Sequence, residues 1–419
     1  MMTSRERVQM ILSHYEADRI AIDFGTTSVT GIHVKLIAEF RKHYGLAEKP
    51  VKVTEPFQML GEVDEELASI WNVDTVGVGS QTDKFGILQK DFVERRMPWG
   101  QTVMFPELFK MKEDNGNIYV FPQGDTRCSP SAVMPKGGYF FDAIERVPAT
   151  ELDAELNIED NLEEFTLMTD ADMHYWKEAL TKARATGKAV IARIGGTSIG
   201  DISMIPGVHL KNPKGIRNIT DWYMSTVMRT DFLREIFDRQ SDIAVQNLEK
   251  LNQTAGDCID VLFVCATDLG TQDGQFCSAE TMSDLYGPAY RKINKWVHRN
   301  TKWKTFKHCC GAVVPLMETF INCGFDIINP VQINAAGMDP QFLKRKFGDR
   351  ICFWGGGIDT QRVLQLGTPQ QVKNQVRQLC DIFGAGGGFV FNTVHNLQAN
   401  VPIENAIALM DTICEIRNQ

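Results

Sequence analysis

No stretch of this sequence approaches the roughly 18 consecutive apolar residues that a membrane-spanning helix needs. Dense runs of lysine and arginine are also missing: 44 Lys and Arg stand against 53 Asp and Glu, for a net charge of −9. Nucleic acid and anionic membrane surfaces are therefore not predicted partners, because both attract basic patches. With 43% hydrophobic and 23% charged residues and no low-complexity segment, the composition is that of a globular protein rather than a disordered one.

Cysteine is scarce. The chain has 10 cysteines in 419 residues, with irregular spacing, which is far below the density of a disulfide scaffold. We therefore expect a reducing compartment, in which thiols serve as core residues or metal ligands. The first 20 residues are charged and amphipathic, without the apolar core or small-residue cleavage site of a signal peptide, so we predict a cytoplasmic location.

Eight short apolar runs recur along the chain, and helical patterns separate most of them. Most of these runs are rich in β-branched or aromatic residues, as buried parallel strands are. Strands that alternate with helices predict a parallel sheet, and eight of them favour a closed (β/α)8 TIM barrel over an open doubly wound sheet. The runs are Arg19–Phe24, Thr75–Val78, Lys188–Arg193, Asp260–Ala266, Lys304–His308, Gly324–Val331, Arg350–Trp354 and Gly388–Asn392.

Residues 80–185 interrupt this regular pattern. The region is rich in Pro and Gly turns and lacks a clear helical period. We predict one α/β barrel domain over residues 1–419, with the region at about 80–185 inserted after the second barrel strand and carrying small strands of its own. Helices are predicted at Ser278–Asn300, Pro315–Cys323 and Thr368–Phe383, the last opening on a Thr-Pro pair.

Two histidines and a cysteine follow predicted strands. His308 and Cys310 flank the end of the fifth strand, and His395 follows the eighth. Active sites of barrels lie at the carboxyl ends of the strands, where a His-x-Cys pair on extended backbone presents both side chains to a soft divalent metal. The alternative is a pair of core thiols beside a hydrogen-bonded histidine, with His395 as an ordinary loop residue.

Other polar residues also follow predicted strands. Asp268 is a candidate acid/base group or metal neighbour, unless it only caps a turn. The candidate substrate-binding residues are Gln272, Gln332, Asp359 and Gln361.

Taken together, these segments resemble the uroporphyrinogen decarboxylase superfamily, which includes the cobalamin-dependent methyltransferases. The resemblance covers nearly the whole chain. It is clearest in residues 266–274, the His-Cys-Cys-Gly element at 308–311, and residues 324–332, 353–361 and 386–402. It implies a (β/α)8 barrel with its site at the carboxyl-terminal mouth.

The absence of an arginine-rich N-terminal motif indicates the branch of this superfamily to which the chain is most similar. True uroporphyrinogen decarboxylases carry an arginine-rich motif near the N-terminus that binds the carboxylates of the substrate, whereas residues 23–33 of this chain contain no arginine. The chain is more similar to the methylcobamide:coenzyme M methyltransferases, whose zinc is held by a His-x-Cys pair and a distant cysteine. His308 and Cys310 match the pair, but His395 stands where the distant cysteine is expected.

The resemblance implies a methyltransferase that moves a methyl group between a corrinoid and a small thiol, alcohol, ether or folate, with zinc activating the nucleophile. The corrinoid is expected on a partner protein, because this chain lacks the Asp-x-His-x-x-Gly motif that binds cobalamin. In this interpretation His308, Cys310 and His395 are the metal ligands, and Asp268 and His395 are the candidate catalytic residues. Two alternatives remain: a metal-free decarboxylase of a carboxylic acid, and a non-catalytic protein that docks a corrinoid protein.

Overall fold

The structure, a computed structural model, describes residues 2–151 and 154–417. Its centre is an eight-stranded parallel sheet, and each predicted apolar run contributes one strand. The strands are β1 (Ala21–Ile22), β2 (Thr75–Val78), β3 (Ala189–Ala192), β4 (Val261–Cys265), β5 (Lys304–His308), β6 (Ile327–Asn329), β7 (Cys352–Trp354) and β8 (Phe389–Phe391). The predicted α/β barrel is confirmed.

The order of strands around the sheet is β1-β8-β7-β6-β5-β4-β3-β2, so β1 and β2 are its two edges. They meet at a seam that Asp74, the residue before β2, holds together. The Asp74 amide donates to the Ile22 carbonyl at 2.8 Å, and the Ile22 amide donates to the Asp74 carboxylate at 2.9 Å. Arg7 and Arg19 each contact the same buried carboxylate, at 2.8 and 2.6 Å. The Thr75 hydroxyl also donates to the Asp23 carboxylate at 3.0 Å, so the barrel is closed mainly by hydrogen bonds and ion pairs of Asp74, together with Thr75, rather than by a strand ladder.

Helices cover the outside of the barrel, and the N-terminal helix packs at its base. Val8, Ile11 and Leu12 share a buried cluster with strand residues such as Ala189 and Val261. None of the helices in the described ranges is both long and apolar enough to cross a membrane. The longer helices are Ser4–Ile11, Val34–His43, Glu65–Trp71, Asp170–Ala185, Ile219–Met228, Thr230–Ala255, Gly287–Asn300, Met317–Asn322, Pro340–Phe347, Pro369–Gly384 and Ile403–Arg417.

One predicted helix is interrupted. Ser278–Asn300 divides into the short helix Ala279–Thr281, a π-helical turn at Met282–Tyr286 and the helix Gly287–Asn300. Pro288 lies in the first turn of the last segment, because it has no N–H to continue the preceding hydrogen-bond ladder. The helix Pro369–Gly384 begins as predicted, with Thr368 as its N-cap in a capping box.

The region between β2 and β3 carries small strands, but its last part is regular. Asp170–Ala185 is a helix of 16 residues that buries Trp176, Leu180 and Ala183 against the barrel, so the irregular segment ends before Asp170. Two small sheets use this region. One joins Asp142–Ala143, Ala132–Met134, Asn117–Val120 and Met111–Asp114, and the other joins Ile32–His33, Leu60–Gly61, Val51–Glu55, Thr102–Pro106 and Phe92–Arg96.

The second of these sheets ties the insertion to the segment between β1 and β2. Thr102–Pro106 pairs in parallel with Val51–Glu55, which precedes β2. Buried residues of the insertion, including Phe105 and Phe141, belong to the same apolar cluster as the residues under the barrel helices. The insertion therefore packs against the segment that joins β1 to β2 and shares the apolar core of the barrel.

The seam generates a stability prediction. Asp74→Ala removes the carboxylate that Arg7 and Arg19 share. Arg19 then has no carboxylate partner within the described ranges and Arg7 retains only Asp18, so the free energy of unfolding should fall by about 3–5 kcal/mol. Asp231→Ala is the control, because Asp231 forms an exposed ion pair with Arg234 and its loss should change stability little. Urea unfolding followed by circular dichroism measures both. Equal stabilities of the two variants would contradict the role assigned to Asp74.

Candidate metal centre

Three side chains from two separate barrel strands meet at the mouth. His308 is the last residue of β5, Cys310 follows it by two residues, and His395 lies in the loop after β8. One ligand atom from each lies within 4.8 Å of the other two. The parallel sheet brings them together because the carboxyl ends of all its strands open on the same side. The structure thus groups the three residues that the sequence analysis singled out as metal ligands.

The orientation of His308 is set by Asn329, at the end of the neighbouring strand β6. The side-chain amide nitrogen of Asn329 donates to the Trp354 carbonyl at 2.8 Å, which turns its oxygen toward His308. That oxygen lies 2.6 Å from Nδ1 of His308, so Nδ1 carries the proton and donates it. Nε2 then has a free lone pair, and it lies 3.4 Å from the Cys310 sulfur. A hydrogen bond of this kind on the outer nitrogen is typical of metal-binding histidines.

Asp268, which follows β4, lies beside the cluster. Its carboxylate accepts a hydrogen bond from the Cys310 amide at 2.7 Å and lies 3.7 Å from Nε2 of His308. The Tyr223 hydroxyl donates to the Asp268 carbonyl at 2.9 Å and so fixes the loop. Asp268 is thus placed both to set the backbone of the Cys310 loop and to accept a proton at the edge of the cluster.

His395 faces His308 across the mouth. The ring centroids lie 5.3 Å apart with the planes at 72°, an edge-on contact. The Thr393 hydroxyl donates to the His395 carbonyl and holds the loop. Within residues 2–151 and 154–417, no protein atom forms a hydrogen bond with the His395 ring. An imidazole held in place with both nitrogens uncommitted is available to a metal or to a substrate.

The electrostatics of the cluster favour neutral side chains. Burial lowers the pKa of His308 and of His395, and the neighbouring His308 lowers that of His395 further, as does the more distant charge of Lys84. Burial also raises the pKa of the Cys310 thiol well above its usual range, and the Asp268 carboxylate adds to that effect. At neutral pH the site therefore presents two neutral imidazoles and a thiol.

This donor set fits zinc. Two imidazole nitrogens and one thiolate sulfur are ligands that zinc prefers, and three protein ligands leave a fourth position open, as catalytic zinc sites do. Binding would displace the proton of Cys310, because only the thiolate is a ligand. His308, Cys310 and His395 are the residues that would hold the ion.

Of the four predicted substrate-binding residues, only one lies buried near the cluster. Gln332 is buried near the cluster, where its side-chain oxygen accepts from the Gly311 amide at 2.7 Å. Asp359 accepts from two backbone amides of its own loop, and Gln361 accepts from Asn334. Gln272 is exposed. For these four residues, substrate binding stays a prediction.

Two residues that matter to the site were not singled out for it. Asn329 orients His308. In the sequence, this role is indicated only by the position of Asn329 at the end of the strand that follows β5. Lys307 is fully buried and donates to the carbonyls of Thr267 at 2.7 Å and His308 at 2.8 Å, so it ties the end of β4 to that of β5. The sequence shows only a lysine within an apolar strand, which does not predict that its side chain links two strand ends.

Comparison with known proteins decides the family. The sequence model of "Uroporphyrinogen decarboxylase (URO-D)" matches residues 153–416, more than half of the chain. The chain belongs to the URO-D family. The resemblance that the motifs predicted is confirmed at this level.

Curated relatives of this URO-D family member match over short stretches. The uroporphyrinogen decarboxylase of Psychromonas ingrahamii is 30% identical over 79 residues, which is 19% of this chain and 22% of that protein. That of Coxiella burnetii is 26% identical over 97 residues, covering 23% of this chain and 25% of that protein. The matched stretches thus span no more than about a quarter of these relatives.

A solved structure matches over the full length. The methyltransferase from Methanosarcina mazei superposes with a TM-score of 0.55 at 14% identity, covering 99% of both chains. At this identity the match shows that the URO-D family member and that methyltransferase share one fold.

The cluster generates a metal-binding prediction. Cys310→Ser should lower zinc affinity by more than about 100-fold, because losing a ligand costs more than the 10–100-fold typical of outer partners. Cys309→Ala is the matched control: this neighbouring thiol accepts from the Leu269 amide instead of facing the cluster, so zinc should be retained.

His395 is tested in the same series. His395→Ala should lose zinc, and His395→Cys should keep it, since either imidazole or thiolate can complete the site. Metal analysis of protein purified without chelator measures the occupancy. Full zinc in Cys310→Ser would refute the metal site, and full zinc in His395→Ala would leave His395 as a proton donor rather than a ligand.

Proposed function

We propose that this URO-D family protein is a zinc-dependent methyltransferase that moves a methyl group between a corrinoid and a small thiol, alcohol, ether or folate. The observation that carries the proposal is the grouping of His308, Cys310 and His395 within 4.8 Å at the mouth of the barrel. The full-length fold shared with a methyltransferase supports it.

The chain's own residues supply positioning and proton handling. His308 and Cys310 present their ligand atoms from one strand end, and His395 approaches from the opposite side of the mouth. Zinc bound there would lower the pKa of a thiol or alcohol and hold the resulting anion for attack on a methyl group. The Asp268 carboxylate, 3.7 Å from His308, is placed to accept the proton that the nucleophile releases.

The corrinoid is proposed to arrive on a partner protein. The chain lacks the motif that binds cobalamin, whereas its candidate metal centre lies at the open end of the barrel, where a second protein can approach. In this arrangement the barrel activates the nucleophile and the partner presents the methyl group.

Decarboxylation is the second candidate, because the matched relatives are named uroporphyrinogen decarboxylases. The residues after β1 argue against a porphyrin substrate. Thr26, Thr27 and Ser28 occupy that loop, and the Thr27 and Thr30 hydroxyls are hydrogen-bonded at 3.0 Å. The loop itself contains no arginine that could bind the carboxylates of uroporphyrinogen. This candidate is therefore a metal-free decarboxylase of a smaller acid.

Turnover separates the two functions. The zinc-loaded protein should demethylate methylcobalamin in the presence of a small thiol, and should convert no uroporphyrinogen to coproporphyrinogen. Cys310→Ser should lose at least about 100-fold in rate because it loses a metal ligand, while Cys309→Ala keeps its activity. Visible spectroscopy follows the corrinoid and fluorescence follows the porphyrin. Coproporphyrinogen formed at an enzymatic rate would overturn the proposal.

A further inference from the structure

A large cavity lies on the side of the barrel formed by β1, β2 and β3. Its volume is about 630 Å³. Its walls include the loops that follow β1 and β2 and the residue that follows β3, so one part of it lies at the same end of the barrel as His308 and His395, while residues before β3, such as Lys188, line its other part. It continues through the seam, where β1 and β2 are not paired: Gly77 of β2 lines it, and a side chain there would collide with the Thr26 carbonyl.

Arg193 extends into this cavity from the inside of the barrel. Ile191 belongs to the cluster that fills the barrel interior, and Arg193 lies two residues further along the same face of the chain. Among the residues that the structure describes, its guanidinium donates one hydrogen bond, to the Ser28 hydroxyl at 3.3 Å. A guanidinium has five N–H donors, so most of them are left for a ligand.

No acidic group neutralises Arg193 in the part of the chain that the structure describes: none of the ion pairs found there includes it. A partly buried cation without a counter-charge is unfavourable unless a ligand supplies one. Because a guanidinium matches two oxygens of a carboxylate or phosphate at once, an oxyanion is the ligand that this position fits.

Lys84 adds a second positive charge to the cavity. Its ammonium lies 5.7 Å from the centroid of the Phe57 ring and, like Arg193, takes part in no ion pair within the described ranges. The Ser28 residue that Arg193 contacts also accepts a hydrogen bond through its carbonyl from the Asn396 side chain at 2.8 Å, and Asn396 directly follows His395, so this end of the cavity lies near the candidate metal centre.

The acidic residues of the cavity wall do not form ion pairs with Arg193 or Lys84 in the described part of the chain. Glu62 pairs with Lys52 at 3.7 Å, and Glu65 lies in the first turn of the helix Glu65–Trp71. Glu55 accepts from the Gln58 amide at 2.8 Å through one oxygen, while its other oxygen is buried without a partner. Asp83 accepts from two backbone amides, and burial raises its pKa to about 7, which reduces its negative charge at neutral pH. Arg193 and Lys84 therefore have no carboxylate partner within the described ranges, although the Asp268 carboxylate also lies at this end of the barrel.

We propose that Arg193 and Lys84 bind an oxyanion group, carboxylate or phosphate, of the small substrate whose reacting atom is activated at the His308–Cys310–His395 cluster. This inference rests on the proposed function, and it narrows the substrate to an anionic nucleophile or methyl donor. Arg193, at the end of β3, would then bind the anionic group of the substrate, which the uncharged hydroxyls of the loop after β1 cannot neutralise.

Isothermal titration calorimetry with inorganic phosphate and with acetate tests the proposal. The wild-type protein should bind at least one of them at a single saturable site, and Arg193→Gln should weaken that binding at least tenfold. Arg193→Lys, which keeps the charge, should lose less and guards against a folding defect. Arg345→Gln, an exposed position on the helix Pro340–Phe347, should bind as the wild type does.

The preferred probe indicates whether the natural group is a carboxylate or a phosphate. Wild-type protein that binds neither anion, or Arg193→Gln that binds as tightly as wild type, would overturn the inference. Zinc content measured on the same samples keeps the two proposals apart. Protein that holds no zinc but binds anions through Arg193 would refute the metal-dependent function and leave the anion site standing.

Discussion

The carboxylate of Asp74 closes the barrel, and the geometry of the mouth depends on that closure. Seven pairs of neighbouring strands are joined by backbone ladders. β1 and β2 are joined instead through Asp74, with its buried ion pairs to Arg7 and Arg19, and through the hydrogen bond from Thr75 to Asp23. A closed barrel directs the carboxyl ends of all eight strands to one opening. That constraint places His395, after β8, opposite His308, at the end of β5. The same seam leaves room for the cavity that Arg193 lines.

The chemistry of the candidate metal centre depends on one chain of hydrogen bonds across three strands. The Trp354 carbonyl of β7 orients Asn329 of β6, which in turn assigns the proton of His308 on β5 to Nδ1. In the other tautomer of His308, Nε2 would carry the proton and would have no lone pair to offer a metal ion. Two neutral imidazoles and one thiolate would give a zinc site one negative charge poorer than a site with a second thiolate, and therefore a stronger Lewis acid.

Much of this was accessible from the sequence, because the information is local. Buried parallel strands are short apolar runs, and each of the eight was recognisable in that way. His308, Cys310 and His395 could be grouped because each follows a strand, and a barrel brings strand ends together. What could not be predicted depends on pairing between distant segments. The partnership of Asn329 with His308 follows from the β5–β6 register, and the contact of Arg193 with Ser28 follows from the closure of the barrel, which brings β3 near the loop after β1. The helix Asp170–Ala185 was missed because it follows a long irregular segment.

The metal centre is the central claim, and X-ray absorption at the zinc edge tests it most directly. Protein purified without chelator, or reconstituted with one equivalent of zinc, should show one sulfur ligand near 2.3 Å and nitrogen ligands near 2.0–2.1 Å, with the outer-shell scattering of two imidazoles. A zinc environment made only of oxygen and nitrogen would contradict the account, and so would a protein that takes up no zinc.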